Sequence, residues 1–306
     1  MVNLTITFLG TSSAVPTPER GLSSIAITRG SELLLFDTGE GMQRNFIKAG
    51  LGMNRKMKVF ISHMHSDHCI GLLGLMQTMS LQGRTNPLDV YGQPALREFI
   101  VENMRIIRFG LGFDVNVHTI EKEGVIATEP DYRISCQSAS HSIPALSFCL
   151  EEFERPGVFR VERAKELALP EGELYSRLQR GEDVEYQGRK VRSADMLGPP
   201  RRGRKICISG DTRPTDELAA FFDAADVLVH ESTYSTEKQD KAIEYFHSTA
   251  REAAAIAKRA NVKKLFLTHF SARYDETELL LKEALSVHPD VTAADDLMEV
   301  TVPYSE

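Results

Sequence analysis

Short apolar runs recur along the chain, broken by glycine-bearing turns and separated by longer stretches with helical spacing. LTITFLG (4–10), SIAITRG (24–30) and ELLLFDTG (32–39) read as strands. KVFISH (58–63), LDVYG (88–92), RISCQS (133–138), ALSFCLEE (145–152), KICISG (205–210), DVLVHE (226–231) and KLFLTH (264–269) continue the series. Helical patterns fall near 41–49, 70–81, 94–107, 248–260 and 276–286. In STAREAAAIAKRANV, Ser248 is the expected N-cap, and the alanine-rich body has high helix propensity. Strands and helices interleaved in this way predict a layered α/β protein.

One segment breaks the pattern. From Glu154 to Lys205 the apolar periodicity fades while glycine, proline and charge rise. It holds 13 Lys and Arg against 9 Asp and Glu, so it is basic in a chain whose net charge is −7. A long polar segment between two core strands reads as a protruding insertion or lid. An acidic net charge argues against a general polyanion binder, since that affinity rests on Lys and Arg at phosphates. The uneven distribution leaves room for one basic module.

Hydrophobic residues make up 42% and charged residues 26% of the 306, a soluble balance. No apolar run approaches the roughly 18 residues of a membrane span, so no membrane partner is expected. The N-terminal MVNLTITFLGTSS has neither a basic n-region nor a long apolar h-region, and no signal peptide is expected. The four cysteines, Cys69, Cys136, Cys149 and Cys207, form no C-x-x-C pair. They read as reduced, mostly buried thiols of a cytoplasmic protein.

The chemistry concentrates in ISHMHSDHCIG, residues 61–71, which spends three of nine histidines within six positions. His63 follows a strand directly, where α/β folds place ligand sites. Imidazole and carboxylate are zinc-ligand types. Four donors in one loop (His63, His65, Asp67 and His68) exceed what one tetrahedral ion needs once other ligands arrive. The H-x-H-x-D-H spacing therefore signals two metals. Cys69 lies inside the cluster, as a further donor or as a small hydrophobe beginning the next helix. More donors stand at similar strand ends: His141, Asp211, His230 and His269, with His247 just before a helix. A strand-end carboxylate such as Asp211 has two oxygens with which to bridge two cations.

The H-x-H-x-D-H loop, the distant histidines, the strand-end Gly-Asp and the C-terminal LTHF together resemble the metallo-β-lactamase superfamily. More narrowly, FLGTSSAVPTPERG (8–21), LLFDTGEGMQ (34–43), ISGDTRP (208–214), HEST (230–233), HST (247–249) and LTHFSARY (267–274) resemble its ribonuclease Z family. The likeness also takes in GELYSRLQRG through GPPRRGRK and spans essentially the whole chain.

The resemblance implies a four-layer αβ/βα sandwich, one domain over 1–306, with a flexible arm inserted over 153–204. It implies two zinc ions per subunit: His63, His65 and His141 on one, Asp67, His68 and His269 on the other, and Asp211 between them. Asp67 would also accept a proton from the attacking water. His247 would give a proton or stabilise charge, and Glu231 would orient it. Asp37 is read as a turn carboxylate organising the metal loop, and His230 as structural. The implied activity is removal of the 3′ trailer from precursor tRNA, leaving a 3′-hydroxyl on the tRNA and a 5′-phosphate on the trailer. The arm would grip the tRNA and, in a homodimer, serve the partner subunit's active site. At Glu173 and at Pro18 and Gly21 the chain departs from the usual arm Gly-Pro and from the Lys and Asn of the early loop. Two other readings are a phosphodiesterase of the same superfamily acting on small diesters, and an RNA-binding protein that keeps the fold without chemistry.

Overall fold

Strands with no polar face need cover on both sides, and the apolar runs find it in two seven-stranded sheets laid face to face. The structure is a computed structural model and describes residues 2–304. In strand order the first sheet is Glu299–Thr301, Leu4–Gly10, Ser24–Arg29, Glu32–Phe36, Lys56–Phe60, Leu88–Gly92 and Val115–Thr119. The second is Val291–Ala293, Lys264–Thr268, Val227–Glu231, Lys205–Ile208, Ala145–Glu152, Tyr132–Ala139 and Gly124–Glu129.

Leu34 and Phe36 point into the space between the sheets, where Phe8, Phe60, Phe148, Ile206, Val229 and Phe266 meet them. Leu33 and Leu35 point the other way, onto Met42 and Phe46 of one helix and Leu72, Leu75 and Met76 of another. The second sheet is covered likewise by Leu218, Phe222, Ala253, Ala254 and Ile256. Helix, sheet, sheet, helix is the expected αβ/βα sandwich.

Two local expectations are corrected. The helix Ala250–Arg259 is capped by Thr249, not Ser248. Thr249 Oγ1 accepts the Glu252 N–H and Glu252 reaches back to the Thr249 N–H, a capping box. The Ser248 hydroxyl is buried and donates to the Thr212 carbonyl. Cys149 and Cys207, on the neighbouring strands Ala145–Glu152 and Lys205–Ile208, are joined in a disulfide. Sequence distance concealed a pairing that sheet order creates. Cys69 and Cys136 are free and buried.

The chain divides into two units, residues 2–150 with 205–303, and 151–204 with Tyr304. The second unit has its own apolar cluster: Ala164, Leu169, Tyr175, Leu178, Val184, Val191 and Met196. Its hairpin pairs Val184–Tyr186 with Arg189–Val191 around Gln187 and Gly188, both at positive φ, as a tight two-residue turn requires. Arg204 forms a buried ion pair with Glu152. Glu173 is exposed and follows Gly172, whose φ is 117°.

Candidate metal centre

Parallel strands present their C-terminal ends on one edge. Lys205–Ile208, Val227–Glu231 and Lys264–Thr268 run parallel and deliver Asp211, Glu231 and His269. Glu32–Phe36 and Lys56–Phe60 do the same for Asp37 and His63. The histidine loop packs directly on the loop after Phe36. Gly71 N–H donates to the Thr38 carbonyl and Thr38 N–H to the His68 carbonyl. A side chain at Gly71 would meet the Gly39 carbonyl oxygen at 2.2 Å, and one at Gly39 would meet the Asp67 carbonyl oxygen at 2.7 Å. Both glycines serve this close approach. Asp37 itself takes the positive φ, 58°.

Ligating atoms from His63, His65, His141 and Asp211 lie within 4.8 Å of one another, and so do those from Asp67, His68 and His269. Asp211, His247 and His269 form a third such group. His65 Nδ1 is 3.0 Å from His63 Nε2 and 3.1 Å from His141 Nε2. His68 Nε2 is 3.3 Å from His269 Nε2.

The other nitrogen of four of these rings is tied down. His63 Nδ1 meets the Ser62 hydroxyl at 3.0 Å, and His269 Nδ1 meets the Thr233 hydroxyl at 2.9 Å. His68 Nδ1–H donates to Asp37 at 2.7 Å, and His141 Nδ1–H donates to the Phe246 carbonyl at 3.0 Å. A carbonyl only accepts, so His141 Nε2 has only a lone pair to offer. One proton on His65 cannot serve both neighbours at once; a cation satisfies all three. Asp211 Oδ1 is buried with no hydrogen-bond partner, 3.3 Å from His269 Nε2. Nitrogen-rich donors with outer nitrogens fixed and an orphaned buried carboxylate oxygen fit divalent metal ions.

Electrostatics agree. Burial alone would raise the Asp211 carboxyl, but the imidazoles of His269, His68 and His63 hold it well below its ordinary value. Asp67 is lowered in the same way: burial opposes the charge, and His269 and His68 outweigh it. Its Oδ2 accepts the Ala14 N–H at 2.8 Å.

Beside the cluster, His247 Nδ1–H donates to Glu231 Oε1 at 3.0 Å. Burial opposes a charge on His247, but Glu231 and then Asp211 outweigh it, and its pKa rises to about 9. Among the described residues its Nε2 has no hydrogen-bond partner. Glu231 is buried and saturated: Oε1 also accepts the Thr212 N–H, and Oε2 accepts the N–H and hydroxyl of Thr233. Arg213 grips the His247 carbonyl and the Glu252 carboxylate together.

Asp37 accepts the Ser62 N–H and hydroxyl besides His68, the organising role expected of it. Cys69 lies in the helix-side core, and burial pushes its thiol up to about 11. His230 is fully buried, bonded to the Glu231 carbonyl and facing the Phe222 ring, and belongs to no donor group. Sequence reasoning missed Ser62, Thr233 and Arg213. Their signal lay in plain view, since Thr233 closes HEST and Arg213 follows Gly-Asp-Thr, but hydroxyls and guanidiniums beside ligands carry no spacing rule.

Two family models match parts of the chain: "Anti-Pycsar protein Apyc1" over residues 4–150 and "Beta-lactamase superfamily domain" over residues 195–270. A ribonuclease Z of Nitrosopumilus maritimus is 47% identical, covering 97% of this chain and 99% of the relative. One from Myxococcus xanthus is 41% identical, with 99% of each covered. Among solved structures, the short form of human tRNase Z superposes with a TM-score of 0.73 at 30% identity, covering 98% of this chain and 99% of that one.

Proposed function

The chain belongs to the ribonuclease Z family, and on that footing we propose that it is an endoribonuclease of tRNA 3′ processing, zinc-dependent, with two ions per subunit. It removes 3′ trailers from precursor tRNA and leaves a 3′-hydroxyl on the tRNA and a 5′-phosphate on the trailer. The observation that carries the metal assignment is the convergence of ring nitrogens at 3.0–3.3 Å while the outer nitrogens of four of the five rings are tied elsewhere.

His63, His65 and His141 would hold one ion, Asp67, His68 and His269 the other, and Asp211 would lie between them. Zinc suits the imidazole-rich set. When bound, such a pair supplies a hydroxide near neutral pH and charge neutralisation at the phosphate. Asp67, held anionic, takes a proton from the attacking water. His247 carries its mobile proton on Nε2, because Nδ1 is committed to Glu231, and gives it to the departing 3′-oxygen. Glu231 fixes that ring, with every other lone pair it needs already used.

The segment 153–204 serves as the tRNA-gripping arm, inserted in the single domain. Its basic balance within an acidic chain supports this, as does a hydrophobic cluster formed among its own residues. The arm acts in a homodimer on the partner subunit's site. No helix among the described residues is long and apolar enough to cross a membrane. The Cys149–Cys207 bond removes the thiol argument for a cytoplasmic location, which now rests on the tRNA substrate alone.

The test is cleavage of a 3′-extended precursor tRNA by purified protein, with chelator and after zinc return, mapping both ends of the cut. A zinc-restorable cut leaving a 3′-hydroxyl supports the reading. Metal-dependent hydrolysis of a simple diester, with precursor tRNA left intact, would move the substrate to small phosphodiesters.

A further inference from the structure

The chain has 15 phenylalanines and 8 tyrosines, and their rings are apolar bulk the fold normally hides. Among the described residues three aromatic side chains stand exposed: Phe153, Tyr245 and Phe246. Two of the three directly precede His247. Tyr245 is 51% and Phe246 42% exposed, and Ile243 at 56% extends the same apolar stretch.

The backbone accounts for nothing of this choice. Phe246 sits at φ 59°, a region bulky residues seldom adopt. Its carbonyl accepts the His141 Nδ1–H, which any residue can supply and glycine or asparagine would supply with less strain. The ring is therefore unexplained by packing, by backbone conformation and by the contact to His141. What remains is its place, one residue from His247 and bonded through its carbonyl to His141.

We propose that Tyr245 and Phe246 form a stacking platform for the unpaired nucleobase on the 5′ side of the scissile phosphate. This deepens the reading above and rests on it. If His247 protonates the departing 3′-oxygen, the nucleotide that owns that oxygen lies beside His247, and its base lies within reach of the residues preceding it. Stacking on an aromatic face tolerates any base. Such a platform holds the 3′-oxygen against the proton donor without reading the base.

The test uses the full-length protein and three RNAs: a precursor tRNA, the same precursor abasic at the nucleotide 5′ of the cut, and the mature tRNA carrying 2-aminopurine there. Phe246→Ala and Tyr245→Ala should each raise KM on the intact precursor by roughly 5- to 100-fold, with smaller changes in kcat. Phe246→Trp should keep the wild-type value. On the abasic precursor, wild type and variants should coincide. The 2-aminopurine fluorescence should be quenched by wild type and Phe246→Trp and not by the alanine variants. Unchanged KM and quenching in both alanine variants, while wild type cuts precursor tRNA, would overturn the platform and leave the function standing. Loss of dimer in the variants with quenching intact would also overturn it and assign the patch to a second copy of the chain. Failure of wild type to cut precursor tRNA while hydrolysing a simple diester would remove the reading, and the platform with it.

Discussion

Glu231 and His247 are bonded Oε1 to Nδ1 at 3.0 Å, and the bond fixes which nitrogen of His247 can act. The carboxylate is buried and already takes two backbone N–H groups and one hydroxyl. It is held as an anion and held still, so the ring it orients keeps Nδ1 committed and Nε2 uncommitted.

Glu231→Gln keeps the shape and removes the charge. It should lower kcat roughly 10- to 100-fold, the usual scale for a partner that orients a working histidine. His247→Ala should lower kcat roughly 10²- to 10⁴-fold. The double variant should be no slower than His247→Ala alone, because both changes would disable the same proposed proton donor. Multiplicative losses in single-turnover rates would separate the two residues.

Asp67→Ala should abolish turnover while precursor tRNA still binds. Asp67 lies 3.5 Å from His68 Nε2 and from His269 Nε2, inside the donor group, whereas the proposed grips on RNA use other residues, the segment 153–204 and the Tyr245–Phe246 pair. Gel-shift affinity within a few-fold of wild type, with no cleavage, is the expected pair of results. A variant with near-full turnover would sink the assignment.

Deletion of 155–203 should raise KM for precursor tRNA by an order of magnitude or more and leave hydrolysis of a small diester near its wild-type rate. The segment's apolar cluster is its own, so its removal takes nothing from the three clusters of the sandwich. Lost phosphate contacts should also flatten the salt dependence of binding. Unchanged tRNA kinetics would refute the arm.

Glu252 links stability to pH. Burial opposes its charge, but Arg213, the Thr249 N–H and Gln239 outweigh burial and lower its pKa. A depressed carboxyl stabilises the fold above its unfolded pKa of about 4.3, and that stability is lost as pH falls through the lower folded value. Glu252→Gln should cost about 1–3 kcal/mol at pH 7, from the weakened cap and the lost charge-assisted bonds. Urea midpoints should show the gap between wild type and variant narrowing below pH 4.

Strand positions were legible because both sheet faces are covered: an uninterrupted run such as Leu33–Phe36, too short for a helix and followed by a glycine-bearing turn, reads as a two-sided strand. The edge strand Val115–Thr119 was not, since its burial is partial and its sequence is mixed. Ser248 looked like the cap because a cap is read from the first hydroxyl before an apolar run. The residue three places before Glu252 is Thr249, and that spacing was the better guide. The donor cluster was visible in the H-x-H-x-D-H loop, but what holds each ring is not periodic. Thr233 Oγ1 reaches Glu231 and His269 only because two strand ends come together. The Cys149–Cys207 pair and the separate core of 151–204 arise from topology in the same way.

The short distance between His68 and His269 spans 201 positions of sequence. Translation runs from one to the other, so a chain still on the ribosome has its first four donors long before the last. No product that ends before His269 can assemble the complete donor set. On the proposed ligand set, hydrolytic capacity cannot precede the synthesis of His269. If those donors hold the metal as proposed, a nuclease surrounded by RNA during its own synthesis lacks its full site until it is nearly finished.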